Sequence, residues 1–250
     1  MSNDILLSTR HVTKKFGGFT ANSDISVDFH AGKLTAIIGP NGAGKSTFFN
    51  MVSGGLEPTS GEIWFDGRNV AGLKQHEFAR IGISKSFQIT NLFPALTVLE
   101  NVRVAVQSLQ SVYNIWTPRS AHAQWVEQAE ALLELVGLQD RRRDRAGDLA
   151  HGEQRSLEIA VALACNPKLL LLDEPTAGMS PEETRAIMKL ILKLLEHRTI
   201  GLVEHKMKLI MGVSDSIIVL HQGRLLVQGS PDDIRSNEEV KRVYLGKGNH

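Results

Sequence analysis

Two short stretches of the chain carry residues that could do chemistry. The first, GPNGAGKS at Gly39–Ser46, fits the pattern G-x-x-x-x-G-K-[ST] and stands between the apolar run LTAII and the amphipathic run STFFNMVSG. Glycines at 39, 42 and 44 let successive backbone N–H groups converge on one point, and a helix starting at the end of the segment adds its positive end. The product is a phosphate cradle built from Gly39, Pro40, Asn41, Gly42, Ala43, Gly44, Lys45, Ser46 and Thr47. Lys45 is placed to reach β- and γ-phosphates, and Ser46 to offer its hydroxyl to Mg²⁺. The second stretch, LLLLDEP at Leu169–Pro175, reads as a buried strand ending in two acids. An uncompensated carboxylate there is costly, so a metal or a substrate is expected to balance it. Asp173 is expected in the Mg²⁺ shell, and Glu174 as general base toward an attacking water.

The elements that must position these residues alternate in type. Strands are predicted at Ile25–Phe29, Leu34–Ile38, Glu62–Gly67, Lys168–Asp173, Thr199–Glu204, Ser216–Leu220 and Arg224–Gly229. Alternation with amphipathic helices implies an α/β domain with a largely parallel sheet, and the turns at Asp66-Gly67 and Gln222-Gly223 add antiparallel hairpins. Between about Leu92 and Cys165 helical spacing takes over. There Trp125–Leu138 places Val126, Ala129, Leu132, Leu133 and Val136 on one face.

Composition narrows the function classes. The chain has 250 residues and a formal net charge of +1, so no overall field draws it to nucleic acid or an anionic bilayer. Its one cysteine, Cys165, excludes an internal disulfide and reads as a small packing residue. The N-terminal MSNDILLSTR lacks the basic start and apolar core of a signal peptide. No apolar run approaches the roughly 18 residues of a spanning helix. The expectation is a soluble chain that meets a membrane through partners.

With these motifs in place, the sequence resembles the ATP-binding subunit of an ABC transporter nearly end to end. LAHGEQRSLEIAVALA (Leu149–Ala164) resembles the family signature segment, SFQ (Ser86–Gln88) the Q-loop, and LVEH (Leu202–His205) the switch-histidine loop; Phe16 stands where the family stacks an aromatic on adenine. The resemblance implies one ABC ATPase domain over residues 1–250: a P-loop core of mixed, largely parallel sheet with an antiparallel β subdomain (1–91 and 165–230), a helical subdomain carrying the signature (92–164), and a C-terminal helical tail (231–250). It implies ATP and Mg²⁺ as cofactors, with Gln88 sensing the γ-phosphate, joining Ser46 and Asp173 around the metal, and lying near the membrane-subunit contact. It also implies hydrolysis by Glu174 with His205, assisted by Lys45. Two such subunits close head to tail, so that Ala150, His151, Gly152, Glu153 and Gln154 contact the partner's nucleotide.

The stretch FQITNLFPALTVLENV and the tail ending YLG are similar to an ATPase subunit of branched-chain amino-acid importers and of their urea and short-amide cousins. That likeness implies a heterodimeric ATPase pair, two membrane permease subunits and a periplasmic binding protein, at the cytoplasmic face of the inner membrane. The nearest alternatives are a lipopolysaccharide-type export ATPase and a catalytically weakened regulatory subunit; a soluble ABC protein acting on nucleic acid would want coiled-coil insertions or a second cassette. Departures from the family pattern are Ala150 for a usual serine, Val161 for a common arginine, Ser180 in the D-loop and Lys206 after the switch histidine. They imply an asymmetric pair in which the site on this chain's own phosphate loop is the competent one.

Overall fold

The computed structural model of the chain describes residues 5–86, 92–108 and 119–245. It opens with three strands, β1 (Ile5–Phe16), β2 (Phe19–His30) and β3 (Leu34–Ile38), and then helix α1 (Lys45–Val52). Strands β4 (Ser60–Phe65) and β5 (Arg68–Asn69) turn at Asp66-Gly67, and α2 (Gln75–Ile81) leads into β6 (Ile83–Ser86). Three helices follow without a strand between them: α3 (Val98–Ser108), α4 (Arg119–Leu135) and α5 (His151–Leu163). Then come β7 (Leu169–Asp173), α6 (Pro181–Leu195), β8 (Thr199–Val203), α7 (Met207–Val213), the hairpin β9 (Ser216–His221) and β10 (Arg224–Gly229), α8 (Pro231–Ser236) and α9 (Glu238–Leu245).

Two sheets divide these strands by their burial pattern. In β2, Ile25, Val27 and Phe29 alternate with more accessible residues, as an antiparallel strand with one wet face requires, and the smaller sheet runs β2-β1-β4-β5. By contrast LTAII, LLLLD and TIGLV are buried at every position, because a parallel strand covered on both faces has no polar side. These form the middle of the larger sheet, ordered β10-β9-β3-β8-β7-β6. Side-chain alternation still sorts the two faces. Leu170 and Leu172 join the core made with the helical stretch, while Leu169 and Leu171 join the core under α1 and the smaller sheet.

The predicted strands are present, and three more are added. β1 was hidden because Ser8, Thr9, Arg10 and Thr13 interrupt its apolar residues; β6 is short and ends in Lys85 and Ser86. The helix predicted to run to Leu138 stops at Leu135. Gly137 takes a left-handed backbone at φ 77°, and the N–H of Leu138 turns back to the carbonyl of Leu133 at 2.8 Å. Leu138 remains buried as part of the turn that follows. Further on, α6 begins on firm local chemistry: Ser180 caps it by accepting from the Glu183 N–H at 3.2 Å, Glu183 returns the bond to the Ser180 N–H at 2.9 Å, and Pro181 opens the first turn.

The larger sheet sets the site. Ile37 of β3 is level with Val203 of β8, which is level with Asp173 of β7. Three loops therefore leave the carboxyl ends of neighbouring parallel strands side by side, where an open α/β sheet gathers ligand-binding residues.

Candidate functional site

From β3 the chain enters the glycine loop against two walls. At Gly39 a Cβ would stand 2.3 Å from the carbonyl oxygen of Leu220, and at Gly44 (φ 91°) it would stand 2.4 Å from Nδ2 of the buried Asn22. Both contacts are shorter than a side chain tolerates, so glycine is required at each. Asn22 also donates to the Gly44 carbonyl at 3.2 Å, fixing the residue from which α1 starts. No acid lies in the first turn of α1 and no side chain caps it, so its leading N–H groups are left for an outside anion.

Lys45 is buried at the start of that helix, its ammonium donating to the carbonyls of Gly39 at 2.8 Å and Pro40 at 3.1 Å. Burial lowers its pKa, and the nearby charges of Glu174 and Asp173 act in the opposite direction. Gly42, Ala43, Gly44, Lys45, Ser46, Thr47 and Asn41 line one cleft of about 420 Å³, together with Phe19, Ala21, Glu174 and His205.

Glu174, the residue after β7, has φ 46°, a conformation that costs energy outside glycine. Its N–H donates to the carbonyl of Val203 at 2.9 Å, which pins the turn to β8. The Nε2–H of His205 then donates to Oε1 of Glu174 at 2.6 Å. Behind them lies Glu204, whose buried carboxylate accepts from the N–H and hydroxyl of Thr176 and from the N–H groups of His205 at 2.8 Å and Lys206 at 3.4 Å. Its negative charge is spread over four donors, and the loop carrying His205 is thereby tied to the loop after Glu174. The strand reading ended at this acid without giving it a role; its cost at the end of a buried run was the available signal.

Asp173 is buried at the end of β7, its backbone carbonyl accepting from Arg155 at 2.7 Å and its carboxylate paired with Lys85 at 3.2 Å. Among the described residues no three His, Cys, Asp or Glu side chains come together as a metal cage. Mg²⁺ keeps waters and phosphate oxygens and needs only one or two protein ligands. A hydroxyl at Ser46 and a single buried carboxylate at Asp173 fit that demand; Gln88, expected beside them, lies outside the described residues.

The signature residues open a separate part of the surface. His151 and Gln154 line a cleft of about 150 Å³ with Asp173 and Glu174, so Glu174 faces both clefts. Ala150 precedes α5 and its N–H donates to Glu153 at 3.0 Å, while the amide of Gln154 donates to the Leu149 carbonyl at 3.1 Å. The Gly152 N–H donates to Glu183 of α6 at 3.2 Å, and a Cβ on Gly152 would lie 3.0 Å from that carboxylate. Phe16 is half exposed at the end of β1 beneath the ammonium of Lys14; it is Phe19, across the hairpin turn, that lines the phosphate-loop cleft. A third concavity of about 400 Å³ lies between β6 and the helical stretch, with Ile83, Leu92, Ala105, Val161 and Cys165 on its walls.

Comparison with known proteins gives the family. Residues 22–177 match the family described as ABC transporter, and residues 224–250 match the branched-chain amino acid ATP-binding cassette transporter family. The chain is 41% identical to the high-affinity branched-chain amino acid transport ATP-binding protein LivG of Salmonella typhimurium, over 97% of this chain and 98% of the relative. It superposes on a nucleotide-free ATP-binding cassette from an ABC transporter with TM-score 0.86 and 30% identity, covering 97% of this chain and all of that one. A dimeric bacterial ABC transporter cassette gives TM-score 0.77 at 28% identity, over 90% of this chain and 98% of that one. The chain belongs to the ABC transporter family of ATP-binding subunits, ATPases whose hydrolysis of ATP is coupled to transport.

Proposed function

We propose that this subunit binds ATP with Mg²⁺ in the phosphate-loop cleft and hydrolyses it to drive a membrane importer of branched-chain amino acids. The observation that carries the reading is the pair His205–Glu174, held at 2.6 Å inside the same cleft as Lys45 and Ser46. Lys45 turns from its own loop carbonyls to the β- and γ-phosphates. Ser46 and Asp173 hold Mg²⁺, which supplies charge neutralisation at the phosphates when bound. Glu174 takes the proton of the attacking water, and His205 orients its carboxylate. Phe19, on the wall of the cleft, offers an aromatic face to the base, with Phe16 paired to it across the hairpin.

The substrate class rests on the 41% identity to LivG and on the match of the C-terminal segment to the branched-chain family. Both support an importer over a lipid exporter. The dimeric relative supports a paired ATPase; in our reading α5 of one subunit meets the nucleotide of the other. The partner is a second, different ATPase, and the groove between β6 and the helical stretch receives a permease subunit at the cytoplasmic face of the membrane. No described helix is long and apolar enough to cross a membrane.

The test is steady-state ATP hydrolysis by this chain alone and after addition of candidate partner ATPases, then uptake of labelled leucine by vesicles holding the assembled transporter. Expected is low activity alone, rescue by one partner, and leucine uptake that needs ATP. Hydrolysis rising steeply with the chain's own concentration would overturn the heterodimer, and an assembled transporter that moves no branched-chain amino acid would overturn the substrate class.

A further inference from the structure

Two cationic side chains are buried beside Asp173. Arg155 takes its backbone carbonyl and pairs with Glu158 at 2.5 Å. Lys85 takes the carboxylate itself. It leaves β6, the edge strand of the larger sheet, and its Nζ lies 3.2 Å from Oδ2 of Asp173, with the two side chains only 8% and 4% exposed. The same ammonium donates to Oδ1 of Asn50 at 2.7 Å and sits 5.0 Å from the ring centroid of Phe49. Asn50 and Phe49 belong to α1, the helix into which the phosphate loop leads. One ammonium thus ties together the edge strand, the helix of the phosphate loop and the buried acid. Lys85 also lines the apolar groove, at the point where β6 ends.

An ion pair this dry is expensive to form, and leaving either partner alone costs more than forming the pair. We propose that Lys85 is a positioning residue of the nucleotide site: the internal counter-ion of Asp173, which sets how strongly nucleotide binding depends on Mg²⁺. The inference rests on the reading of Asp173 as the acid that faces Mg²⁺. With Lys85 in place, Asp173 meets incoming phosphates as half of a neutral pair, so nucleotide enters without a divalent cation at modest cost. Without the ammonium the carboxylate meets them as a bare charge in a buried place, and Mg²⁺ is needed to cancel the repulsion.

The experiment is calorimetric titration of ADP into the full chain, once with Mg²⁺ and once with EDTA, for the wild type, Lys85→Met, Lys85→Gln and Lys85→Arg. The readout is the ratio of the dissociation constant in EDTA to that in Mg²⁺. Lys85→Met is expected to raise the ratio about tenfold, chiefly by weakening binding in EDTA. Lys85→Arg is expected to restore the wild-type ratio. Lys85→Gln, which keeps a donor for Asn50, gives the same rise and serves if Lys85→Met loses its fold. A ratio in Lys85→Met and Lys85→Gln equal to that of the wild type overturns the proposal, as does an equal loss of affinity in both conditions, the mark of a merely structural lysine. If neither the wild type nor any Lys85 variant binds ADP more tightly with Mg²⁺ than in EDTA, the reading of Asp173 fails, and the proposal with it.

Discussion

Helices α1 and α5 both begin at segments that the sequence reading assigns to nucleotide, and their first turns are furnished in opposite ways. At α1 the chain supplies no carboxylate, no side-chain cap and two close-packed glycines, so the donors are fixed in place and left open. At α5 it supplies two carboxylates of its own: Glu153 takes the Ala150 N–H and Glu183 takes the Gly152 N–H. The positive end of α1 is thus ready for an anion, while that of α5 is already partly satisfied from within the same chain. A ligand meeting α1 finds a finished site, whereas one meeting α5 competes with side chains that must first let go.

The contrast can be broken most decisively at Glu174, which belongs to the finished end. Glu174→Gln is expected to slow ATP hydrolysis by the assembled ATPase pair about 10²- to 10⁴-fold while nucleotide still binds. Unchanged turnover would move the chemistry away from the cleft at α1. Lys45→Ala comes next. Loss of a charge-assisted contact to phosphate is expected to weaken ATP binding by the isolated chain about ten- to a hundredfold. Normal affinity would mean that the open donors of α1 hold the nucleotide unaided.

The other end is sharpened by smaller changes. Alanine at position 150 offers no oxygen to the first turn of α5, so Ala150→Ser is expected to add a cap worth ~1 kcal/mol. In a chain of this size that raises the melting temperature by roughly 2–4 °C. No rise would mean that the donors of α5 have no use for a further acceptor. The smallest effect belongs to Glu183, whose carboxylate solvent reaches. The N–H and hydroxyl of Ser180, and then the N–H of Gly152, hold its pKa below the ordinary 4.5. A carboxylate depressed in this way contributes stability that is present in full above 4.5 and is lost as the pH falls through the lower folded value. Melting of the wild type is therefore expected to fall more steeply below pH 4.5 than melting of Glu183→Gln. Parallel curves would show that Glu183 does not grip α5.

How much of this was legible depended on how far each feature reaches along the chain. The glycine loop, Lys45, Ser46 and the acid pair were readable because each motif is continuous and its flanking strand is apolar throughout. Phe19 was not, since two aromatics flank one hairpin turn and only the path of the hairpin places one of them along the cleft. Glu204 and Lys85 were hidden for the same reason. A lysine in ISKS and an acid after TIGLV look like solvated strand ends until their partners, Asp173 and Thr176, arrive from elsewhere. The helical reading through Leu138 overshot because side-chain spacing continued past the point where Gly137 had already turned the backbone.

Residue chemistry and period alone dictate that this chain makes a glycine loop opening into a helix, a buried acidic strand end and a layered α/β body, since each follows from neighbours a few positions away. Strand order belongs to packing. Only when β3, β8 and β7 lie side by side with Ile37, Val203 and Asp173 level do Lys45, Glu174 and His205 share one cleft. The same packing buries Lys85 against Asp173, because charge pairing depends on distance through space, for which separation along the chain is no guide.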